Sequence, residues 1–305
     1  MMIHAGHDRI RFGAGNVFYG WWIALVLAIL STYGNGVFYY GFSTFVKPIV
    51  QELAWSMAVV SGAFSIYRLE AGIAAPIVGY LLDRIGPRQL VFWGGAVMGA
   101  GFIYLSHVHT ALHFYIAIIT ISCGWSACAG AAVCNPLLGK WFVKKRGSVI
   151  GLYNAVIGLA GLLVPVVAFL ITHLGWRTTL LIMGPLTWLV VPPLSLLLKH
   201  SPERCGLLPD GDQSVPAGGD AGRADKAEAA EPDFSLRASM ATSAFWIITL
   251  CFFMHQITQS AVFVHLIPYL IDSGIDPTSA ASVITFIVVA SSAGRPLGAG
   301  LVLPA

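Results

Sequence analysis

Charge is what this sequence has least of. Of its 305 residues 10% are Asp, Glu, Lys or Arg, against about 25% in a soluble globular domain, so it cannot cover itself with an ordinary water-facing surface. Cysteine is sparse too. Of the five, Cys123, Cys128 and Cys134 share one apolar run at spacings that match no zinc motif, Cys251 lies in another run and Cys205 in a polar stretch, so buried small thiols are the default expectation. His107, His109 and His113 alternate through a short loop, a pattern more often incidental than metal-binding. There is no His-Glu-x-x-His, no acidic pair in a glycine loop and no nucleophile-base set. We therefore expect no enzyme, no cofactor and no metal, and the small net charge of +3 implies no nucleic-acid partner.

What is present is apolar. Hydrophobic residues make up 57% of the chain and the mean hydropathy is +0.77. A bilayer core takes about 20 apolar residues per helix, and eight such runs occur, at about 20–43, 58–82, 90–107, 111–138, 148–173, 176–198, 243–271 and 279–301. The fold class is all-α and membrane-embedded, with the lipid bilayer as its first partner. Two of the 17 Lys and Arg residues, Arg68 and Arg295, lie inside runs. With alternating topology the other fifteen divide thirteen to two, only Lys47 and Arg177 falling on the minority side. The positive-inside rule then puts the N-terminus in the cytoplasm, residues 1–19 forming a short tail at the cell (inner) membrane. That tail is no secretory signal, because the run after it is too long and lacks a small-residue cleavage site.

The stretch Gly79-Tyr80-Leu81-Leu82-Asp83-Arg84-Ile85-Gly86-Pro87-Arg88 is a charged turn between two apolar runs. Asp83 sits at a helix C-terminus, where the macrodipole disfavours a carboxylate, so it calls for a partner. With Gly79, Asp83, Arg84, Gly86 and Arg88 in register, the stretch resembles the Gly-x-x-x-Asp-Arg-x-Gly-x-Arg signature between helices 2 and 3 of major facilitator superfamily transporters. The resemblance implies a conformational latch at these five residues.

Several runs carry polar groups that lipid contact does not explain. In the first, Tyr33-Gly34-Asn35-Gly36-Val37-Phe38-Tyr39-Tyr40-Gly41 suits close packing or a cavity wall, and we place Asn35 and one of the two tyrosines, with Tyr40 as the site candidate, on a cavity. In the second, Arg68 and Glu70 are about 200° apart on a helix and cannot simply pair with each other. Arg68 shares a face with Gly72, Ala75 and Gly79, a track suited to close packing, which leaves Glu70 as a proton-coupling candidate. The glycines of the third run read as scaffold. The fourth run has Ser122, Ser126 and Gly130 four apart, another close-packing track, with Ser126 also a site candidate. It ends in the basic Lys140-Trp141-Phe142-Val143-Lys144-Lys145-Arg146. The fifth run carries a stripe without bulk at Gly147, Gly151, Asn154, Gly158, Gly161 and Pro165, along which another helix could approach.

Residues 199–240 hold few large apolar side chains and form a cytoplasmic linker between a six-helix bundle, 20–198, and two further helices, 241–305. Within it, Ser201-Pro202-Glu203-Arg204-Cys205-Gly206-Leu207-Leu208-Pro209-Asp210-Gly211-Asp212 resembles a segment of the monocarboxylate transporter and oxalate:formate antiporter-like branch, as do Phe245-Trp246 and His265-Leu266-Ile267-Pro268-Tyr269-Leu270. His255, Thr258, Gln259, His265 and Tyr269 span about 120° of a regular helix, a polar arc suited to a water-filled cavity; either histidine could carry a proton or stay neutral and hydrogen-bonded. Arg295 before Pro296 looks like the helix 8 arginine that binds substrate carboxylate in this branch. Ser291 and Tyr40 stand where animal members place an aspartate and a lysine.

The resemblance implies a secondary transporter of small organic anions, mono- or dicarboxylates, working by alternating access, with proton coupling and exchange both open. Arg295, Asn35, Tyr40, Ser126, His255 and Gln259 would meet substrate, and Glu70 or His265 would carry a proton. The family has twelve helices, so four are expected beyond these eight, and the alternative is a truncated, non-transporting scaffold or sensor of the same fold. The sequence sets no oligomeric state.

Overall fold

A computed structural model describes residues 18–202, Cys205, 207–211 and 240–301, except the side chains of Ser260 and 292–301. Among the described residues the chain forms eight long helices and no strand. They are α1 (Tyr19–Leu53), α2 (Met57–Ile85), α3 (Pro87–Ser106), α4 (Ala111–Trp141), α5 (Arg146–Leu174), α6 (Trp176–Ser195), α7 (Ser243–Asp272) and α8 (Pro277–Leu301). Most of the tail, most of the 199–240 linker and the Arg295 side chain lie outside the described residues. Six of the eight, α1, α3, α4, α5, α6 and α7, are long and apolar enough to cross a membrane on length and composition alone. The 29 residues of α2 suffice at about 1.5 Å each, but Arg68, Glu70, Asp83 and Arg84 interrupt its apolar character.

The scaffold expectation for the third run holds, for a packing reason. α3 lies against α4 on one side and α6 on the other, and a Cβ on Gly124 of α4 would sit 2.4 Å from the Met98 backbone nitrogen. Only a glycine permits backbones that close. α5 meets α8 in the same way at Gly161, where a Cβ would lie 3.1 Å from both Thr285 Cα and Val288 Cβ, and Thr285 Oγ1 donates to the Gly161 carbonyl at 2.6 Å. The stripe on α5 therefore does receive a helix at that point, while nothing lies within 4 Å of a Cβ at Gly147 or Gly151.

The other two tracks differ from expectation. Nothing described lies within 4 Å of a Cβ on Gly72 or Gly79, and Ala75 is exposed, so the small residues of that track admit no described helix. On α4, Ser122 and Ser126 spend their hydroxyls on Glu70. Small size alone does not say whether a residue is there to admit a neighbour or to present a hydroxyl. The cysteines also divide: Cys128 and Cys134 are buried, Cys205 is half-buried, and Cys123 and Cys251 are exposed.

At the turn between α2 and α3, Gly86 takes φ +81°, ending one helix and preceding the next, with Pro87 in the first helical position, where it has no amide hydrogen to lose. Asp83 finds its partner in α4: Lys140 Nζ lies 2.8 Å from Asp83 Oδ1 and holds that carboxyl below its usual range. Arg84 turns back to donate to the Tyr80 hydroxyl at 2.9 Å, and Arg88 is exposed. Nearby, Asp210 accepts from the backbone N–H groups of Val143, Lys144 and Lys145 at 3.0, 2.7 and 3.2 Å. Burial alone would raise the Asp210 carboxyl, but these three donors outweigh it and hold it low. The linker motif is thus tied to the loop that opens α5.

Candidate functional site

Three helices lose regular geometry at one depth. α1 opens into a π-helical segment at Asn35–Tyr40, α4 breaks at Ala129 and Gly130 between its two α-helical parts, and α5 tightens into a 3-10 turn at Gly158–Leu162. Irregular backbone inside a membrane frees carbonyls that need partners, and it is tolerated where protein or a cavity supplies them. Here Ser31 Oγ donates to the Ala129 carbonyl at 3.3 Å and shares a 2.7 Å hydrogen bond with the Tyr153 hydroxyl.

A cavity of about 220 Å³ opens at this depth between α1, α4, α5 and α7. Asn35, Tyr39 and Tyr40 line it from α1, Trp125 and Asn135 from α4, Tyr153 and Asn154 from α5, and Gln259 from α7. Sites for drug-sized molecules run to about 300–1,000 Å³. This one suits an occupant of a few atoms. Its wall is rich in hydrogen-bond donors, and among the described residues no acidic side chain lines it. The Trp125 indole Nε1 is buried and has no hydrogen-bond partner among the described residues.

The two charges of α2 stand behind this wall on opposite sides, as their spacing requires. Arg68 Nη2 donates to the Tyr39 hydroxyl, and the guanidinium carbon lies 4.9 Å from the Tyr39 ring centre, 5.5 Å from Phe64 and 5.8 Å from Tyr67. Glu70 turns to α4. Its Oε2 accepts from Ser122 and, at 3.4 Å, from Ser126, while its Oε1 is buried with no hydrogen-bond partner among the described residues. Neither charge has an ion-pair partner among the described residues.

Of the candidates named from sequence, Asn35, Tyr40 and Gln259 come together on the cavity wall. Ser126 is buried against Glu70 rather than on that wall. His255 and His265 lie on exposed faces of α7, whose buried residues among those described are Phe263, Val264, Ile267 and Pro268, and Arg295 falls outside the described side chains. Gly79, Asp83, Arg84, Gly86 and Arg88 cluster at the α2–α3 turn, and the described ion pair of Asp83 runs to α4 of the same bundle. Sequence reasoning missed Trp125, Asn135 and Tyr153. Asn135, a polar residue beside Pro136 in an apolar run, carried a usable signal. An aromatic among aromatics, such as Trp125, did not.

α7 meets α1 mainly along Phe42–Leu53. Tyr39 and Tyr40 pack on Phe263 with ring centres 6.0 and 5.0 Å apart, and Lys47 pairs with Asp272 at the far end. Helices of membrane length, broken at one depth around a polar cavity, are the architecture of a multi-pass membrane protein.

Known proteins resemble this chain in sequence. The oxalate:formate antiporter of Oxalobacter formigenes is 23% identical over 249 residues, 81% of this chain and 55% of that protein. Human monocarboxylate transporter 11 is 27% identical over 251 residues, 80% and 47% of the two chains. The membrane sensor protein UhpC of Salmonella typhimurium is 24% identical over 205 residues, 65% and 45%. The chain spans about half the length of these curated relatives. The sequence profile of the Major Facilitator Superfamily matches residues 16–304, the whole helical body together with the stretch joining its sixth and seventh helices, and the chain belongs to that superfamily.

Proposed function

We propose that this chain forms the substrate-bearing part of a carrier for small organic anions, mono- or dicarboxylates, that works by alternating access. The observation that carries the reading is the donor-rich cavity between α1, α4, α5 and α7, which has no acidic wall residue among those described. An anion entering it would meet the amides of Asn35 and Gln259, the Tyr40 hydroxyl and the unpartnered Trp125 N–H, with Arg295 supplying a bidentate charge partner from α8. His255 and His265 would join only on rotation of α7. The names of the carboxylate-transporting relatives support the substrate class, and the Lys and Arg distribution supports a cytoplasmic N-terminus in the cell (inner) membrane. The Asp83 turn would act as latch when the cavity closes on its own side.

Glu70 offers a proton site, because its buried Oε1 accepts no hydrogen bond by geometry among the described residues. The titratable groups that sense it are Tyr67 on its own helix and Cys123 on α4. Counterflow of labelled oxalate, formate and lactate in proteoliposomes tests the proposal. The wild type should exchange at least one of them, Arg295→Ala should abolish exchange, and Glu70→Gln should exchange with its pH dependence flattened. Binding without flux would favour the second reading, a sensor of the same fold, which the likeness to UhpC supports. Neither binding nor flux would sink both.

A further inference from the structure

We infer that Tyr39 is a substrate contact and that Arg68 acts through it, lending the cavity a positive field from behind its aromatic wall. The inference rests on the anion-carrier reading above and names a specificity element within it. Arg68 brings a cation to the back of the cavity wall through its contact with Tyr39, and no carboxylate pairs with it among the described residues. Tyr39 on α1 and Phe64 and Tyr67 on α2 cage the guanidinium, while Glu70 faces the other way and binds Ser122 and Ser126. Arg68 Nε is buried without a hydrogen-bond partner.

A charge held in a membrane helix among aromatic rings, with a phenol oxygen as its described acceptor and no counter-ion, is costly, and such a charge marks function by default. The guanidinium cannot touch an occupant directly, since Tyr39 stands between. By donating to the Tyr39 oxygen it occupies that oxygen as an acceptor and leaves the phenol proton to be donated. Cooperative polarisation strengthens that donor. An anion in the cavity would be met by a Tyr39 O–H backed by a full positive charge, and a neutral solute of the same shape would gain far less.

Calorimetric titration of the purified full chain in detergent with lactate and oxalate tests this. Tyr39→Phe keeps the ring that faces Arg68 and removes the hydroxyl, so binding should weaken about tenfold or more, the size of one hydrogen bond to a charged group. Arg68→Gln should weaken it comparably, Arg68→Lys should recover part, and the double variant should be little worse than either single, because each removes the same relay. A merely structural Arg68 would lower the melting temperature and give additive effects on binding. Additive losses, or Tyr39→Phe binding within about twofold of wild type, would overturn the inference while leaving the carrier reading in place. Should Arg68→Gln fail to fold, Tyr39→Phe decides alone. A wild type that binds no carboxylate would remove the carrier reading and this inference with it.

Discussion

The seam between α1 and α7 is made differently at its two ends. Toward Asp272 it is shut: Phe263, Val264 and Ile267 are buried, Tyr39 and Tyr40 pack on Phe263, and Lys47, its side chain 14% exposed, pairs with Asp272. Toward Ser243 the helix is bare, with Trp246, Ile247, Ile248 and Phe252 all more than half exposed. Of α7's apolar window 12% of the residues are buried, against 39% to 61% in the other five apolar spans. At that bare end the described ties join α2 to α4 through Asp83 and Lys140, α4 to the stretch after α6 through Trp141 and the Lys199 carbonyl, and the linker to the loop before α5 through Asp210. For a carrier that alternates access as proposed above, the fastened end is the part of the seam that would have to come undone.

The largest effect should come from preventing that opening. Cysteines at positions 47 and 272, joined by a short bifunctional cross-linker, should remove nearly all flux while leaving carboxylate binding measurable, and cleaving the linker should restore exchange. Full flux in the cross-linked protein would show that this end does not open. A smaller effect concerns the α5–α8 contact, which is shut by backbone rather than by side chains. Gly161→Leu must displace Thr285 and Val288 and should cost about 1–3 kcal/mol of stability. Gly151→Leu, on the same stripe with nothing within 4 Å, should stay within about 0.5 kcal/mol. Thermal unfolding of the pair reads the difference directly.

The smallest effect lies at the bare end. Asp210→Ala should speed amide exchange at Val143, Lys144 and Lys145 and cost about 1 kcal/mol, since the carboxylate is part-exposed and screened. Because its folded value is depressed, the tie is complete above the ordinary carboxyl value of 3.8 and is lost as pH falls below it through the lower folded value. Exchange at those three amides should therefore be flat from pH 8 to about 5 after correction for the intrinsic rate, and should rise only in acid. A change between pH 6 and 7 would mean that another group holds the loop.

How far the sequence could be read depends on the kind of statement. That Arg68 and Glu70 point to opposite sides followed from helical geometry, and the structure sends one to α1 and the other to α4. That Asp83 needs a cation followed from its place at a helix end, but Lys140 lies 57 positions away, and nothing local names it. The Leu-Pro-Asp-Gly segment was legible as a resemblance and opaque as physics until Asp210 was seen to bind three amides. Choosing between Tyr39 and Tyr40 on a regular helix could not succeed. The π-helical segment takes an extra residue into each turn and swings successive side chains off their expected bearings. Both tyrosines reach the cavity as a result.

Composition and periodicity determined by themselves that this is a helical membrane protein, how many long helices the described chain contains and which positions are too polar for lipid, because each of those follows from local transfer energies and the pitch of a helix. Only the tertiary structure decided which small residues admit a neighbour, which hydroxyls serve Glu70, and that Tyr39 stands between Arg68 and the cavity. Those are relations between helices far apart in sequence, set by where backbones bend and by which surfaces pack, and no single stretch of chain contains them.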